Sequence, residues 1–156
     1  MTKRVVITGI GIYSTIGLNV HEVLDSLYNG KSGIHFDQSR IDFGYRSGLS
    51  GHVPEPQLKG KIDRRMRVGL AEQGAYAFIA TEEAMEMAKM DAAYLDNNEV
   101  GILYGNDSSS RAVVESIDAL REKKDTSRIG SGYIFQSMNS TVSMNLSVIY
   151  KLRGIN

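Results

Sequence analysis

The 156-residue chain contains no cysteine, so it can form no disulfide, no thiolate metal site and no cysteine nucleophile within its own length. Its 18 basic and 18 acidic residues balance, and no overall field favours nucleic acid or an anionic lipid surface. No run of about 18 apolar residues is present to span a membrane, and the apolar stretch near the N-terminus is too short for a signal peptide. These absences predict a soluble cytoplasmic protein that binds neither membrane nor nucleic acid.

Apolar patterning predicts two strands and four helices in a chain long enough for one ordinary domain. The strands, at 4–12 and 99–104, are rich in valine and isoleucine without alternation, which is typical of strands buried on both faces. The predicted helices cover 20–28, from 63 or 64 to about 90, 112–124 and 137–153. Residues 31–61 carry both prolines and many glycines, and they predict a loop with one short strand or hairpin.

Two features of this pattern need a physical cause. The second helix contains Gly69 and Gly74, each of which costs about 1 kcal/mol of helix propensity, so we expect another backbone to approach it closely. Two strands this apolar also need neighbouring strands, and helices on both faces of the sheet. The chain therefore reads as part of a larger α/β protein.

Gly9 and Gly11 follow the first strand and resemble the start of a dinucleotide-binding turn. The third glycine of that motif is replaced by Ser14, and Asp37, an acidic residue at about the right distance, has no second strand leading into it. Close packing or unusual dihedral angles at the strand end are the favoured explanation for these glycines.

Other candidate motifs are weak. The polar loop 106–110 lacks the G-x-S-x-G pattern of a nucleophile elbow, and its Asp and Ser residues suit helix capping or the lining of a ligand site. His21, His35 and His52 show no metal-ligand spacing, so we expect no metal and assign these residues no chemistry.

Two local basic clusters stand out on the neutral chain. The first comprises Arg64, Arg65 and Arg67 at a predicted helix start. The second comprises Arg121, Lys123, Lys124 and Arg128 in a predicted turn. Such clusters are either solvated faces or docking sites that steer an acidic partner.

Five segments, in this order and spacing, carry a resemblance to a known family: RVVITGIGIYSTIG, LYNGKSGI, IDRRMRVGLAEQGAYAFIATEEAM, VGILYGND and RGIN. The chain closely resembles the N-terminal part of the β-ketoacyl-acyl carrier protein synthases of fatty acid synthesis. These enzymes belong to the thiolase-like superfamily, and the resemblance is nearest to the elongating synthases of types I and II.

The resemblance implies an α/β fold, the thiolase-like layered α-β-α-β-α arrangement, of which 1–156 would be an incomplete first half. It places the N-terminal glycines in the core, where they bind no nucleotide. It implies a homodimer that condenses an acyl thioester with malonyl-acyl carrier protein and uses no cofactor. The nucleophilic cysteine and two histidines of that reaction are expected beyond residue 156, so the chain alone is expected to be inactive.

The resemblance also implies roles for particular residues. Ser108 and Met138 would line the acyl channel with Phe135 nearby, although Met138 could equally be ordinary core. Arg64, Arg65, Arg67, Lys123 and Lys124 would dock acyl carrier protein. The loop after VGILYG is usually glycine-rich in the family and is not here, which leaves chain-length preference open. A non-catalytic subunit for dimerisation and docking, such as a chain-length factor, remains the alternative.

Overall fold

The computed structural model describes residues 4–107, 110–127 and 129–156. Internal contacts divide the chain into two compact units. The first comprises the chain up to Glu55 together with Ile79–Lys89, and the second comprises Pro56–Phe78 and Met90–Asn156.

The described residues form eight helices and two strands. In chain order these are α1 (Val20–Tyr28), β1 (Ile34–Phe36), α2 (Gln38–Phe43), β2 (Leu49–Gly51), α3 (Arg64–Gly69), α4 (Glu72–Ala88), α5 (Ala92–Asn97), α6 (Arg111–Lys123), α7 (Gly132–Ser137) and α8 (Thr141–Tyr150). No helix in these ranges is long and apolar enough to cross a membrane.

Helix α1 of the first unit confirms its prediction from the sequence. The side chain of Asn19 accepts a hydrogen bond from the N–H of Glu22, as an N-cap should. Val23 and Ser26 form its buried face, and the Ser26 hydroxyl donates to the carbonyl oxygen of Ile16 at 2.5 Å. His21 is exposed on this helix, as expected.

The long loop contains the predicted hairpin and one helix that the sequence did not predict. Strands β1 and β2 pair antiparallel, with Ile34 opposite Gly51. Helix α2 lies between them, and it ends at Gly44, whose φ of 107° favours glycine. Asp37 caps this helix by accepting the N–H of Ser39. Its side chain therefore has a local structural role.

Gly9 and Gly11 owe their identity to close packing against α4. A Cβ atom at Gly11 would lie 1.7 Å from the carbonyl oxygen of Ala80, and one at Gly9 would lie 2.0 Å from that of Ala84. This contact gives the two glycines a packing role that a pyrophosphate-binding turn does not require.

At Gly69 and Gly74, by contrast, the atoms nearest to an added Cβ are side-chain atoms of Asn145, Leu70 and Val142, so the backbone approach expected there is not observed. The close backbone contact with α4 lies at Ala80 and Ala84 instead.

The two predicted buried strands are wrong as hydrogen-bonded elements of the described structure. Residues 4–12 form no ladder, and Val5, Val6 and Ile7 are 97%, 70% and 84% exposed. Residues 99–104 make a short backbone contact with the C-terminal segment, in which Ile102 N–H donates to Ile155 at 2.7 Å and the Val100 carbonyl accepts from Gly154 N–H at 2.9 Å. The reason is that an apolar strand needs neighbouring strands, and the described residues supply none for these segments.

The second unit packs around a small apolar core. Phe78, Val142 and Leu146 are its largest fully buried side chains, and the ring of Phe78 stacks on Tyr150 with centroids 6.0 Å apart. Gly74 lets this core close, since a Cβ there would lie 2.9 Å from a methyl carbon of Leu70. This core packs the first two turns of α4 against α8.

Two helices depart from their predicted bounds. The helix predicted from 63 or 64 to 90 breaks into α3 and α4, because Leu70 is extended and buried, with φ −81° and ψ 122°. The last helix begins at Thr141, since Met138 is extended and closes α7 instead. The sequence did not predict α5, which Asp91 caps.

Candidate functional site

The first basic cluster lies on α3, in the second unit. Asp63 starts the helix by accepting the N–H of Met66 at 2.9 Å. Arg64 and Arg65 follow in the first turn, and both are exposed. Cations in the first turn of a helix oppose its dipole, at a cost of about 0.3–1 kcal/mol each. The two arginines therefore do not stabilise the helix through its dipole.

Arg67 differs from the other two arginines. It is only half-exposed, and its Nε atom is enclosed without a hydrogen-bond partner among the described residues. It also lies in the last turn, where a cation favours the dipole. The predicted three-arginine cluster therefore presents two freely exposed guanidinium groups, on Arg64 and Arg65.

The C-terminal end of α3 is held by two amide side chains from other helices. Gln136 of α7 donates from Nε2 to the carbonyl oxygen of Val68 at 2.9 Å. Asn145 of α8 donates from Nδ2 to the carbonyl oxygen of Gly69 at 3.0 Å. Carbonyls in the last turn have no partner within a helix, so these bonds satisfy groups that would otherwise need water.

The second cluster surrounds the end of α6. Arg121 and Lys123 lie in the last turn, where they favour the dipole. Lys124 closes the helix in the left-handed conformation, with φ 52°. Lys123 contacts Glu122 at 3.1 Å and Arg121 contacts Asp118 at 3.8 Å, so both cations are partly neutralised on the surface. Arg128 lies outside the described residues.

Helix α6 begins at an ion-pair network. Arg111 contacts Glu115 at 2.7 Å and Glu72, at the start of α4, at 3.1 Å. The hydrogen bonds that Arg111 donates to Glu115 and Glu72 hold its pKa above the ordinary arginine value. Four apolar side chains of α6 are about half-exposed: Val113, Val114, Ile117 and Leu120.

The described acyl-pocket candidates lie on α7 and at its end. Phe135 is 45% exposed and Met138 is 48% exposed, so neither is ordinary core in this unit. Ser108 lies outside the described residues. Burial raises the pKa of Tyr104, which precedes Ser108 by four positions in the sequence.

Asn139 connects residues 106 and 107 to the turn before α8. Its Nδ2 atom donates to the carbonyl oxygen of Asp107 at 3.1 Å, and its Oδ1 atom accepts from Asn106 at 3.4 Å. Sequence reasoning missed Asn139, Gln136 and Asn145. They lie among small polar residues. That pattern indicates close helix packing but does not identify the group to which each amide bonds.

No group of three or more histidine, aspartate or glutamate side chains in the described part of the chain could hold a metal ion. The site therefore consists of two basic helix ends and the half-exposed residues of α7. Helix α7 contacts both α3 and α6. Arg64, Arg65 and Lys124 are exposed at these helix ends, and Phe135 and Met138 are about half-exposed on α7 and at its end.

Residues 2–156 match the family described as beta-ketoacyl synthase, N-terminal domain. The chain therefore belongs to the beta-ketoacyl synthase family. It is 38% identical to 3-oxoacyl-[acyl-carrier-protein] synthase 1 of Escherichia coli strain K12 and 34% identical to that of Buchnera aphidicola subsp. Baizongia pistaciae. Each match covers 99% of this chain but 38% of the relative.

Solved structures show the same fold at lower identity. A beta-ketoacyl synthase from Burkholderia phymatum STM815 matches with a TM-score of 0.83 and 24% identity, over 99% of this chain and 38% of that one. The ketosynthase complex AntDE:AntF, described with its acyl-carrier protein, matches with a TM-score of 0.73 and 21% identity, over 100% of this chain and 42% of that one. The chain has the fold of part of a thiolase-like α/β ketosynthase.

Proposed function

We propose that this chain is the N-terminal part of a single β-ketoacyl synthase domain that acts in the cytoplasm as a homodimeric 3-oxoacyl-[acyl-carrier-protein] synthase. Its reaction would be the decarboxylative Claisen condensation of fatty acid synthesis. Malonyl-acyl carrier protein loses CO₂, and the resulting carbanion attacks an acyl thioester held on the enzyme. The observation that carries this proposal is the family match over 2–156, with relatives of that name at 34–38% identity.

The catalytic residues of this reaction would lie outside the 156 residues. The chain has no cysteine to accept an acyl group. We propose that the nucleophilic cysteine and two histidines are in the remainder of the protein, since the chain spans about 38% of the relatives that it matches. No metal or cofactor would be needed.

The test is to sequence past Asn156 and assay the full-length protein with acyl and malonyl carrier protein. A cysteine a few residues on, and formation of ketoacyl product, would support a synthase. Another residue at that position, together with no product, would favour the alternative: a non-catalytic subunit for dimerisation and docking, such as a chain-length factor. One structural neighbour, 19% identical with a TM-score of 0.78, is the ishigamide ketosynthase/chain length factor, so the fold serves both classes.

Acyl carrier protein is the partner that we propose for the basic helix ends. Arg64, Arg65 and Arg67 on α3, with Lys123 and Lys124 at the end of α6, would attract its acidic surface. The chain has no net charge, so only local clusters can steer the encounter. Arg64, Arg65 and Lys124 are exposed, which supports a direct contact, whereas Arg67 is partly enclosed.

Replacement of Arg65 and Lys124 by alanine in the full-length protein tests this docking surface. The KM for acyl carrier protein should rise and depend less on salt, because charges at the rim of an interface act mainly on association. The rate with a small thioester should stay nearly the same. Lys89→Ala, an exposed lysine of the first unit, is the matched control. Equal loss with both substrates would contradict docking.

Ser108, Phe135 and Met138 are the residues that we propose for the acyl channel. The half-exposure of Phe135 and Met138 supports this proposal, because a channel wall needs apolar side chains that the local core leaves accessible. A bulky residue at Ser108 should shorten the longest acyl chain that the full-length enzyme accepts. An unchanged product profile would count against the assignment.

A further inference from the structure

Helix α3 cannot hold its own position. It has six residues, whereas an isolated helix shorter than about 12–15 residues is marginal in water. None of the residues 64–69, all of which the structure describes, is buried. Whatever fixes the direction of this helix must therefore come from contacts with the rest of the second unit.

The two amide bonds at its C-terminal end supply such contacts. Gln136 and Asn145 are separated from the carbonyls they bind by 68 and 76 residues, so the bonds fix α3 against α7 and α8. Both bonds lie where α3 contacts its neighbours α7 and α8. Asn145 Oδ1 would lie 3.5 Å from a Cβ atom at Gly69, and Val68 would lie 3.3 Å from one at Gly132.

We propose that Gln136 and Asn145 are positioning residues, which orient the exposed Arg64 and Arg65 toward acyl carrier protein. This inference rests on the docking role proposed above. Arginines on a helix that is already oriented lose less conformational freedom when the partner binds. The affinity for the partner is therefore higher. Without the amides, α3 keeps its charges but presents them in many directions.

The experiment replaces each amide with leucine, Gln136→Leu and Asn145→Leu, in the full-length protein. Leucine has a similar size but no donor. Asn98→Leu is a matched control, because Asn98 donates its side-chain amide to a carbonyl near the end of α5, that of Tyr94, at 2.8 Å. Helix α5 carries no arginine. Binding of acyl carrier protein is measured directly by fluorescence anisotropy over a salt series, and KM is measured for carrier-bound and small thioesters.

The Gln136→Leu and Asn145→Leu variants should each bind acyl carrier protein about two- to tenfold more weakly, the range expected for one lost hydrogen bond. The salt dependence should also weaken, while kcat and the KM for the small thioester stay unchanged. The control should match the wild type in carrier binding, salt dependence, kcat and the KM for the small thioester. Unchanged carrier binding in both variants would overturn the inference, and so would an equal loss with both thioesters, because that indicates general unfolding.

The outcome for the wild type separates this inference from the proposed function. A wild-type protein that binds acyl carrier protein but forms no product contradicts the condensing activity, and the binding comparison then decides the role of the two amides. A wild-type protein that does not bind acyl carrier protein overturns both the docking role and this inference.

Discussion

Glu83 holds the backbone N–H of Ile12 at 2.9 Å from one of its carboxylate oxygens, across 71 residues of sequence. Its other oxygen accepts the N–H of Val20 at 2.8 Å, at the start of α1. One side chain of α4 thereby fixes both the N-terminal segment and the first helix of this unit. Hydrogen bonds to a charged acceptor are about twice as strong as those between neutral groups.

Glu83→Gln should therefore lower the free energy of unfolding by about 1.5–3 kcal/mol, since one of the two N–H groups would face an NH₂ group instead of an oxygen. Urea denaturation of the full-length protein measures the change. Glu86→Gln, at an exposed position of the same helix, is the matched control and should have little effect. Equal stability of the Glu83 variant and the wild type would show that the carboxylate is dispensable.

Gly11→Ala should destabilise the first unit by about 3 kcal/mol or more. The added Cβ would lie 1.7 Å from the carbonyl oxygen of Ala80, which belongs to a helix backbone that cannot shift cheaply. At Gly130, by contrast, a Cβ would meet nothing within 4 Å, so Gly130→Ala should change stability by less than about 0.5 kcal/mol. Thermal melts of the two variants make the comparison.

Lys124→Gly should stabilise the protein while weakening its binding to acyl carrier protein. The left-handed conformation at φ 52° costs a residue with a Cβ about 1 kcal/mol, and glycine avoids that cost. Lys89→Gly and Lys151→Gly are matched controls, with φ 56° and 53°. They should stabilise to a similar extent without any change in KM for the carrier. If carrier binding by the Lys124 variant is normal, this lysine plays no part in docking.

Asp25 should make stability depend on pH in the acid range. Its hydrogen bond and ion pair with Lys31, 2.5 Å away, lower the pKa of this carboxyl. A lowered folded pKa stabilises the protein above the ordinary aspartate value of about 3.9. That contribution is lost as the pH falls through the folded pKa. Asp25→Asn should thus be slightly less stable than the wild type at pH 7, and the difference should vanish in strong acid.

The 156-residue chain by itself should form no ketoacyl product from acyl and malonyl carrier protein. It has no cysteine to carry the acyl group, and its three histidines are far apart in sequence. Turnover above the blank in a chromatographic assay would contradict this expectation. The full-length protein, assayed in parallel, is the positive control.

Local signals in the sequence predicted local structure well. Asn19 and Asp63 cap α1 and α3 at the predicted helix starts, because a cap depends on a side chain and the N–H groups two or three residues later. Helix α6 begins and ends within one residue of its prediction, and the hairpin falls in the expected loop. Asp91 is the same kind of cap and begins α5, a helix that the sequence analysis does not predict.

Structure that depends on distant partners could not be predicted. The break at Leu70 coincides with carbonyls bound by Gln136 and Asn145, and no property of residues 63–90 indicates those donors. Similarly, the apolar pattern around Val6 predicts burial but cannot supply the neighbouring strand that burial requires. The same limit applies to the site, where the sequence identified the arginines but not the residues that orient them.

The anchors of α3 bind backbone oxygens rather than side chains, and this has a consequence for how binding preference can change. The bonded oxygens belong to the backbone at positions 68 and 69, so neither Gln136 nor Asn145 bonds through these contacts to the side chains at positions 64 and 65. Positions 64 and 65 can vary without loss of the attachment. Evolution, or an engineer matching the protein to a different carrier, could exchange this short segment as a cassette.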